Sequence, residues 1–174
     1  INGNQAAGGT LLEGYALWNS PANVDFTSSQ AAQFALSNAI ATDNGASLLL
    51  KTSGTLTLQV PQNFVRVRYV RTTGTASDQV VVEYTTNTGG GFTTAGTLTL
   101  TPANTKFALN DTLEAWVSAT GVVSVFRNNT YIGSAALPSD PLWTTGGGGI
   151  GIRTPASGLA TPVRVDNFSG ASVP

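Results

Sequence analysis

The chain has 174 residues, 41% of them hydrophobic, enough for one sizeable core and too many for wholesale disorder. Only 10% are charged, against ~25% in ordinary globular domains, so the surface must be built from Thr, Ser, Asn, Gln and Gly. A net charge of −1 leaves no electrostatic footprint for nucleic acid, and no apolar run approaches the ~18 residues of a membrane helix, so no membrane insertion is expected.

Residues 1–23 read as an N-terminal segment of Gly, Ala and Asn with one early strand in "LLEGYALW". Residues 24–174 read as a single domain of short alternating or β-branched runs separated by turn signals. In order these are "NVDFT", "AQFALSNAIA", "ASLLLKT", "TLTLQV", "NFVRVRYVRT", "DQVVVEYTT", "GTLTLTP", "DTLEAWVSA", "GVVSVFRN", "TYIGSAAL", "GGIGIRT" and "PVRVDNFSG". The breakers include "TDNGA", "TTGTASD", "TNTGGG", "RNNT" and "TGGGG". Thr, Val and Gly dominate and capped amphipathic stretches are missing, so helix signal is poor. "SSQAAQFALSNA" fits a short helix by spacing, but its β neighbourhood favours a strand. The pattern predicts an all-β, two-sheet antiparallel jelly-roll sandwich.

Period-two reading assigns faces. In "NFVRVRYVRT", Val65, Val67 and Tyr69 share the core face, which turns Arg66 and Arg68 outward. In "DQVVVEYTT", Glu83 is outward, and an exposed cross-strand pair with Arg66 or Arg68 is expected to contribute ~0.2–1 kcal/mol. In "DTLEAWVSATGVVSVFRNNTYIG", the "ATG" at 119–121 suits a three-residue loop with Gly121 left-handed. That register sets Val117 opposite Val123, Trp116 opposite Ser124 and Phe126 opposite Glu114, because a one-residue slip would turn Val123 and Val125 outward. Trp116 and Phe126 then form an outward aromatic pair, and "RNNT" forms an Asn-rich turn into the next strand.

The order of these elements resembles the laminin-G-like, or concanavalin A-like, lectin and glucanase superfamily. The resemblance lies in "VDF", "GASLLLKTSG", "NDTLEAWVSATGVVSVFRNNTYIGSAAL", "GIGIRT" and the closing "VRVDNF", and covers most of Val24 to Gly170. It implies a two-sheet jelly roll with a concave and a convex face. Members of the superfamily include glucanases, carbohydrate-binding modules, adhesion domains and virion components, so the fold alone does not set the function. Glucanase members carry alternating carboxylates of the Glu-x-Asp-x-x-Glu kind, which this chain lacks. The resemblance carries no binding residue to a defined position here.

The candidate chemistry is therefore read from faces. Glycoside hydrolysis needs two carboxyl groups ~5–9.5 Å apart, and none of the nine carboxylates stand at i, i+2 on one strand face. The chain has no His, Cys or Met, so serine-hydrolase chemistry and thiolate metal sites are missing, and a non-enzyme is expected. No cofactor is expected; a structural calcium is left open at "TDNGA" (42–46) and "VDN" (165–167), with plain turns the preferred reading. Asn110, Asn128 and Asn167 stand in N-x-[ST] sequons, which matter only on a eukaryotic secretory route. Aromatic faces stack on pyranose rings while Arg, Asn, Gln and Glu bond the hydroxyls. The candidate carbohydrate-binding residues are Trp116, Phe126, Glu114, Arg66, Arg68 and Glu83, with Trp18, Tyr131 and Trp143 as alternative loop aromatics. An outward Trp116 equally fits a ring covered by the N-terminal segment or by a neighbouring subunit.

Two main readings follow, beside a third, a glycan-degrading enzyme that has the fold but an unrecognised site. The first is a non-catalytic extracellular carbohydrate-binding or adhesion domain whose partner is a glycan or polysaccharide. The second is a structural subunit or decoration protein of a virion, filament or surface layer, packed against copies of itself or assembly neighbours. Low charge suits such packing, since few charges need desolvating. The composition, with little Lys and much Thr and Gly, points to the cell exterior or a cell or virion surface. No charged n-region or apolar h-region is legible after Ile1.

Overall fold

The structure is a computed structural model that describes residues 6–7, 14–18, 26–37, 45–54, 61–87, 91–144, 148–154 and 164–173. The predicted runs "NVDFT", in part, and "TLTLQV" lie outside these residues. Twelve strands are described: β1 (Ala6–Ala7), β2 (Gly14–Trp18), β3 (Gln30–Leu36), β4 (Ser47–Ser53), β5 (Asn63–Val70), β6 (Gln79–Thr85), β7 (Thr93–Thr99), β8 (Thr112–Val117), β9 (Val122–Arg127), β10 (Thr130–Ala136), β11 (Gly149–Thr154) and β12 (Arg164–Ser172). One helical turn, α1 (Pro141–Thr144), sits between β10 and β11.

The strands form two six-stranded antiparallel sheets, a two-sheet all-β sandwich as predicted. The first sheet runs β1-β12-β3-β8-β9-β10, and the second β2-β11-β4-β5-β6-β7. The N-terminal segment supplies an edge strand to each, β1 against β12 and β2 against β11. Two glycines let edge strands β7 and β10 approach: a Cβ on Gly96 would lie 2.8 Å from Ala135 Cβ, and one on Gly133 would lie 3.0 Å from Leu98.

The core lies between the sheets and takes the alternate residues that period-two reading assigned to it. Phe34, Leu36, Leu113, Ala115, Val117, Val123 and Val125 from the first sheet meet Leu48, Leu50, Val65, Val67, Tyr69, Val80 and Val82 from the second. The segment open to a helical reading is β3, and its strict burial alternation shows why: Gln30, Ala32, Phe34 and Leu36 point inward, Ala31, Gln33 and Ala35 outward. Buried Gln30 is a polar staple between the sheets. Its Oε1 accepts from Lys51 N–H at 2.8 Å, and its amide donates to Gly148 O at 3.2 Å.

The β8–β9 hairpin has the predicted register, with Val117 opposite Val123, Trp116 opposite Ser124 and Glu114 opposite Phe126. Gly121 adopts φ +78°, the left-handed conformation its three-residue loop requires. Asn128 and Asn129 both have positive φ, 49° and 62°, which is the signature of a type I′ turn and joins β9 to β10 tightly.

Candidate functional site

Because β8, β9 and β10 are consecutive hairpins, the register carries one row of outward side chains across five strands. Ser169 on β12 opposes Gln33 on β3, Gln33 opposes Glu114, Glu114 opposes Phe126, and Phe126 opposes Tyr131. Trp116 stands one outward position along β8 from Glu114, flanked by Ala31 and Ser124. The aromatic half of this row is contiguous. The rings of Trp116 and Phe126 lie 5.1 Å apart at 45°, and those of Phe126 and Tyr131 lie 5.6 Å apart at 61°. Such offset and tilted pairs hold each other's orientation. Trp116 is 43% exposed and Tyr131 57%, both large values for aromatic side chains in a strand.

Polar groups fix the ladder. Trp116 Nε1 donates to Glu114 Oε1 at 2.5 Å, which aims the indole, and Gln33 Nε2 donates to Ser169 Oγ at 3.0 Å. At the far end of the hairpin the Asp111 carboxylate accepts from Ala108 N–H, Asn128 Nδ2 and the Arg127 guanidinium, at 2.6 to 2.8 Å. Burial pushes the Asp111 carboxyl up, but the hydrogen bonds from Asn128, Ala108 and Arg127 outweigh it and hold it below the usual aspartate value. The Asn128 amide is thereby engaged by Asp111, which gives the side chain of that sequon a structural role.

Three open depressions flank the ladder. One of about 260 Å³ is bordered by Trp116, Val117, Val122 and Val173 with serines at its rim. A second, about 210 Å³, lies over Ala31, Gln33, Glu114 and Ser169. A third, about 180 Å³, lies past Tyr131 at the edge of the sandwich, lined also by Arg127, Ile132, Leu100 and Thr101.

The structure does not bring Arg66, Arg68 and Glu83 to this face. They stand on β5 and β6 of the second sheet, with their outward side on the opposite side of the core from Trp116. Nor are Arg66 and Glu83 solvated, at 7% and 6% exposure, so the expected exposed pair is a buried cluster. Arg66 Nη2 lies 2.7 Å from Glu83 Oε2, Arg68 Nη2 lies 3.2 Å from Glu83 Oε1, and the Phe92 ring covers the Arg66 guanidinium at 3.5 Å. Burial pulls the Arg66 guanidinium below its usual range, against the opposing effect of Glu83. The reason for the discrepancy is that alternation reports which side of a strand faces away from the core, not what covers that side. Trp143 is corrected likewise: it is fully buried on α1, edge-on to Tyr84, and is a core residue. Asp140 caps that turn, accepting from Leu142 N–H at 2.9 Å, with Pro141 as the first helical residue.

Tyr131 is a strand residue of the ladder, not a loop aromatic. Face reading missed Gln33 and Ser169, which become neighbours of Glu114 only through the pairing of β12, β3 and β8. At the calcium candidates, residues 42–44 lie outside the described residues, and Asp166 Oδ1 accepts from the adjacent Asn167 N–H at 2.7 Å, a local bond. No group of three or more carboxylates able to hold a metal ion occurs among the described residues.

No protein-family model and no curated protein matches the chain. Solved structures do. The carbohydrate-binding module CBM66 from Bacillus subtilis superposes with a TM-score of 0.58 at 10% identity, over 97% of this chain and 96% of that one. The exoplasmic/lumenal domain of VIP36, in its Ca2+/Man-bound form, gives 0.60 at 13% identity, over 98% and 83%. The chain has the concanavalin A-like lectin and glucanase fold. A GH43 protein, BlXynB from Bacillus licheniformis (K247S mutant), also contains this jelly roll, with a TM-score of 0.53 at 14% identity over 83% of this chain. The chain spans 28% of that protein's length.

Proposed function

We propose that this jelly roll is a non-catalytic carbohydrate-binding domain acting outside the cell, with the outward face of β8, β9 and β10 as its binding surface. The observation that carries the reading is the outward ladder Trp116–Phe126–Tyr131, exposed at Trp116 and Tyr131, aimed by Glu114 and set among Ser and Gln side chains. An aromatic ring exposed on a polar, nearly uncharged face offers the apolar contact that a pyranose ring needs. Glu114 supplies a hydroxyl acceptor, since one carboxylate oxygen meets Trp116 Nε1 and the other has no partner among the described residues. The structural likeness to a carbohydrate-binding module and to a Man-bound lumenal domain supports the same reading.

The non-catalytic part rests on the carboxylates of this face. Asp166 opposes Ala35, which opposes Thr112, two residues before Glu114. With ~4.8 Å between strands and ~3.4 Å per residue, the Cα atoms of Asp166 and Glu114 are about 12 Å apart. Each carboxylate of this face is engaged locally, Glu114 Oε1 by Trp116 Nε1 and Asp166 Oδ1 by the Asn167 N–H, so neither is set out as half of an acid–base pair.

The test is binding to a panel of immobilised polysaccharides, followed by tryptophan fluorescence. Binding that is lost in Trp116→Ala, with the thermal midpoint kept, supports the proposal, and binding that survives in that variant overturns it. The apolar border of the depression of about 260 Å³, Trp116, Val117, Val122 and Val173, also suits a protein neighbour and supports the second reading, an assembly subunit. A concentration-independent oligomer that buries Trp116 and binds no glycan is the result that reading expects.

A further inference from the structure

We propose that the Trp116 face holds an internal stretch of a neutral, extended polysaccharide, laid across the strands over several sugar units, and not the terminal sugar of a glycan. This rests on the carbohydrate-binding reading above and names its ligand class.

The shape of the face comes first. The aromatic ladder steps from β8 to β9 to β10, so it runs across the strands and not along one of them. Its three rings follow one another at 5.1 and 5.6 Å, a continuous apolar track. Depressions of about 260 and 210 Å³ lie beside Trp116 and Glu114 at one end of the track. At the other end Tyr131 stands on β10, the edge strand of the described sheet, so the track runs out at the edge of the sandwich, where a depression of about 180 Å³ turns toward Leu100 and Thr101. A site that takes a chain end needs a wall where the chain stops, whereas this track lets a chain enter and leave.

The charge of the face comes second. Glu114 lines the depression of about 210 Å³, and among the described residues no other charged side chain lines it or that of about 260 Å³. Arg127 borders the third, but its guanidinium is held by Asp111 at 2.6 and 2.8 Å and by Lys106 O at 3.0 Å. A sulfated or uronic chain would bring like charge to Glu114 without compensation, so the face selects a neutral one.

The experiment measures affinity for oligosaccharide ladders, mono- to hexasaccharide, cut from neutral glucan, xylan and mannan, and for the same glucan after carboxymethylation. On a ladder that binds, affinity should rise at least about tenfold between the mono- and the tetrasaccharide and then level off. Tyr131→Ala should cost the longest ligand about tenfold while leaving the shortest unchanged. The carboxymethylated glucan should bind more weakly than its parent, and Glu114→Gln should narrow that gap. Full affinity at the monosaccharide, or equal losses at every length in Tyr131→Ala, overturns the chain reading. If binding in that case still disappears in Trp116→Ala, the carbohydrate-binding function stands without it. Binding to none of the ladders and none of the polysaccharides overturns both.

Discussion

The outer faces of the two sheets are built by the same alternation and become different materials. On the second sheet, the outward residues Phe64, Arg66, Val81 and Glu83 are buried within the chain, and the Phe92 ring lies on Arg66. Two arginines there share one carboxylate, so charge is used to hold a covered layer together. On the first sheet, the outward aromatics are Trp116, Phe126 and Tyr131; Trp116 and Tyr131 stay open, the half-buried Phe126 lies between them, and Glu114 is the carboxylate beside Trp116. The comparison reverses the usual expectation for the two residue classes. A charged residue on an outward strand face is no sign of solvent, and an aromatic one is no sign of a cover.

That contrast can be broken most forcefully at Glu83. Glu83→Ala leaves the buried Arg66 guanidinium, and the partly exposed one of Arg68, without their carboxylate, and it should lower stability by about 3–5 kcal/mol. Urea unfolding measures this. A loss below about 1 kcal/mol would mean that the second outer face is solvated like an ordinary surface pair.

At the end of the first sheet, Asp111 takes charge-assisted bonds from Asn128 and Arg127, and Asp111→Asn should cost about 1.5–3 kcal/mol at neutral pH. The sign with pH follows from the lowered pKa. The unfolded chain takes up the proton first, so the contribution is complete above the ordinary aspartate value near about 3.9 and fades as pH falls through the lower, folded value. Urea midpoints followed into acid should therefore fall more steeply for the parent chain than for Asp111→Asn. Parallel acid limbs would remove Asp111 from the account.

Trp116→Ala gives the sharper half of the comparison. A side chain nearly half exposed should cost about 1 kcal/mol or less in unfolding free energy, far below the Glu83 effect, while removing the indole ring of the proposed binding surface. A loss of several kcal/mol would instead mark Trp116 as part of a covered layer. The smallest effect is expected at the type I′ turn. Asn129→Gly relieves a left-handed Asn beside another and should stabilise the chain by a few tenths of a kcal/mol, seen as a slight rise in thermal midpoint.

Part of the ladder is legible in the residues themselves. Val117, Val123 and Val125 must face the core, and Gly121 supplies the loop conformation, so the pairing of Trp116 with Ser124 and of Glu114 with Phe126 follows from local pattern. Gln33 and Ser169 were not legible, because they join the row only when β3 and β12, distant in the chain, pair with β8 and each other. Tyr131 sits between these cases: the "RNNT" turn was readable, but its type I′ geometry is what sets Tyr131 opposite Phe126. Trp143 was misplaced for the complementary reason, since a single helical turn carries too few residues to show a buried face by period.

Residue order alone settles the all-β class, the core face of each long strand and the hairpin that carries Trp116, because a period of two and a left-handed glycine are local properties of the chain. Tertiary structure decides which sheet each strand joins, and so separates Arg66, Arg68 and Glu83 from Trp116 by the thickness of the core. It also decides which outer face is covered, because the cover, such as the Phe92 ring on Arg66, comes from outside the strand it lies on and leaves no period in that strand.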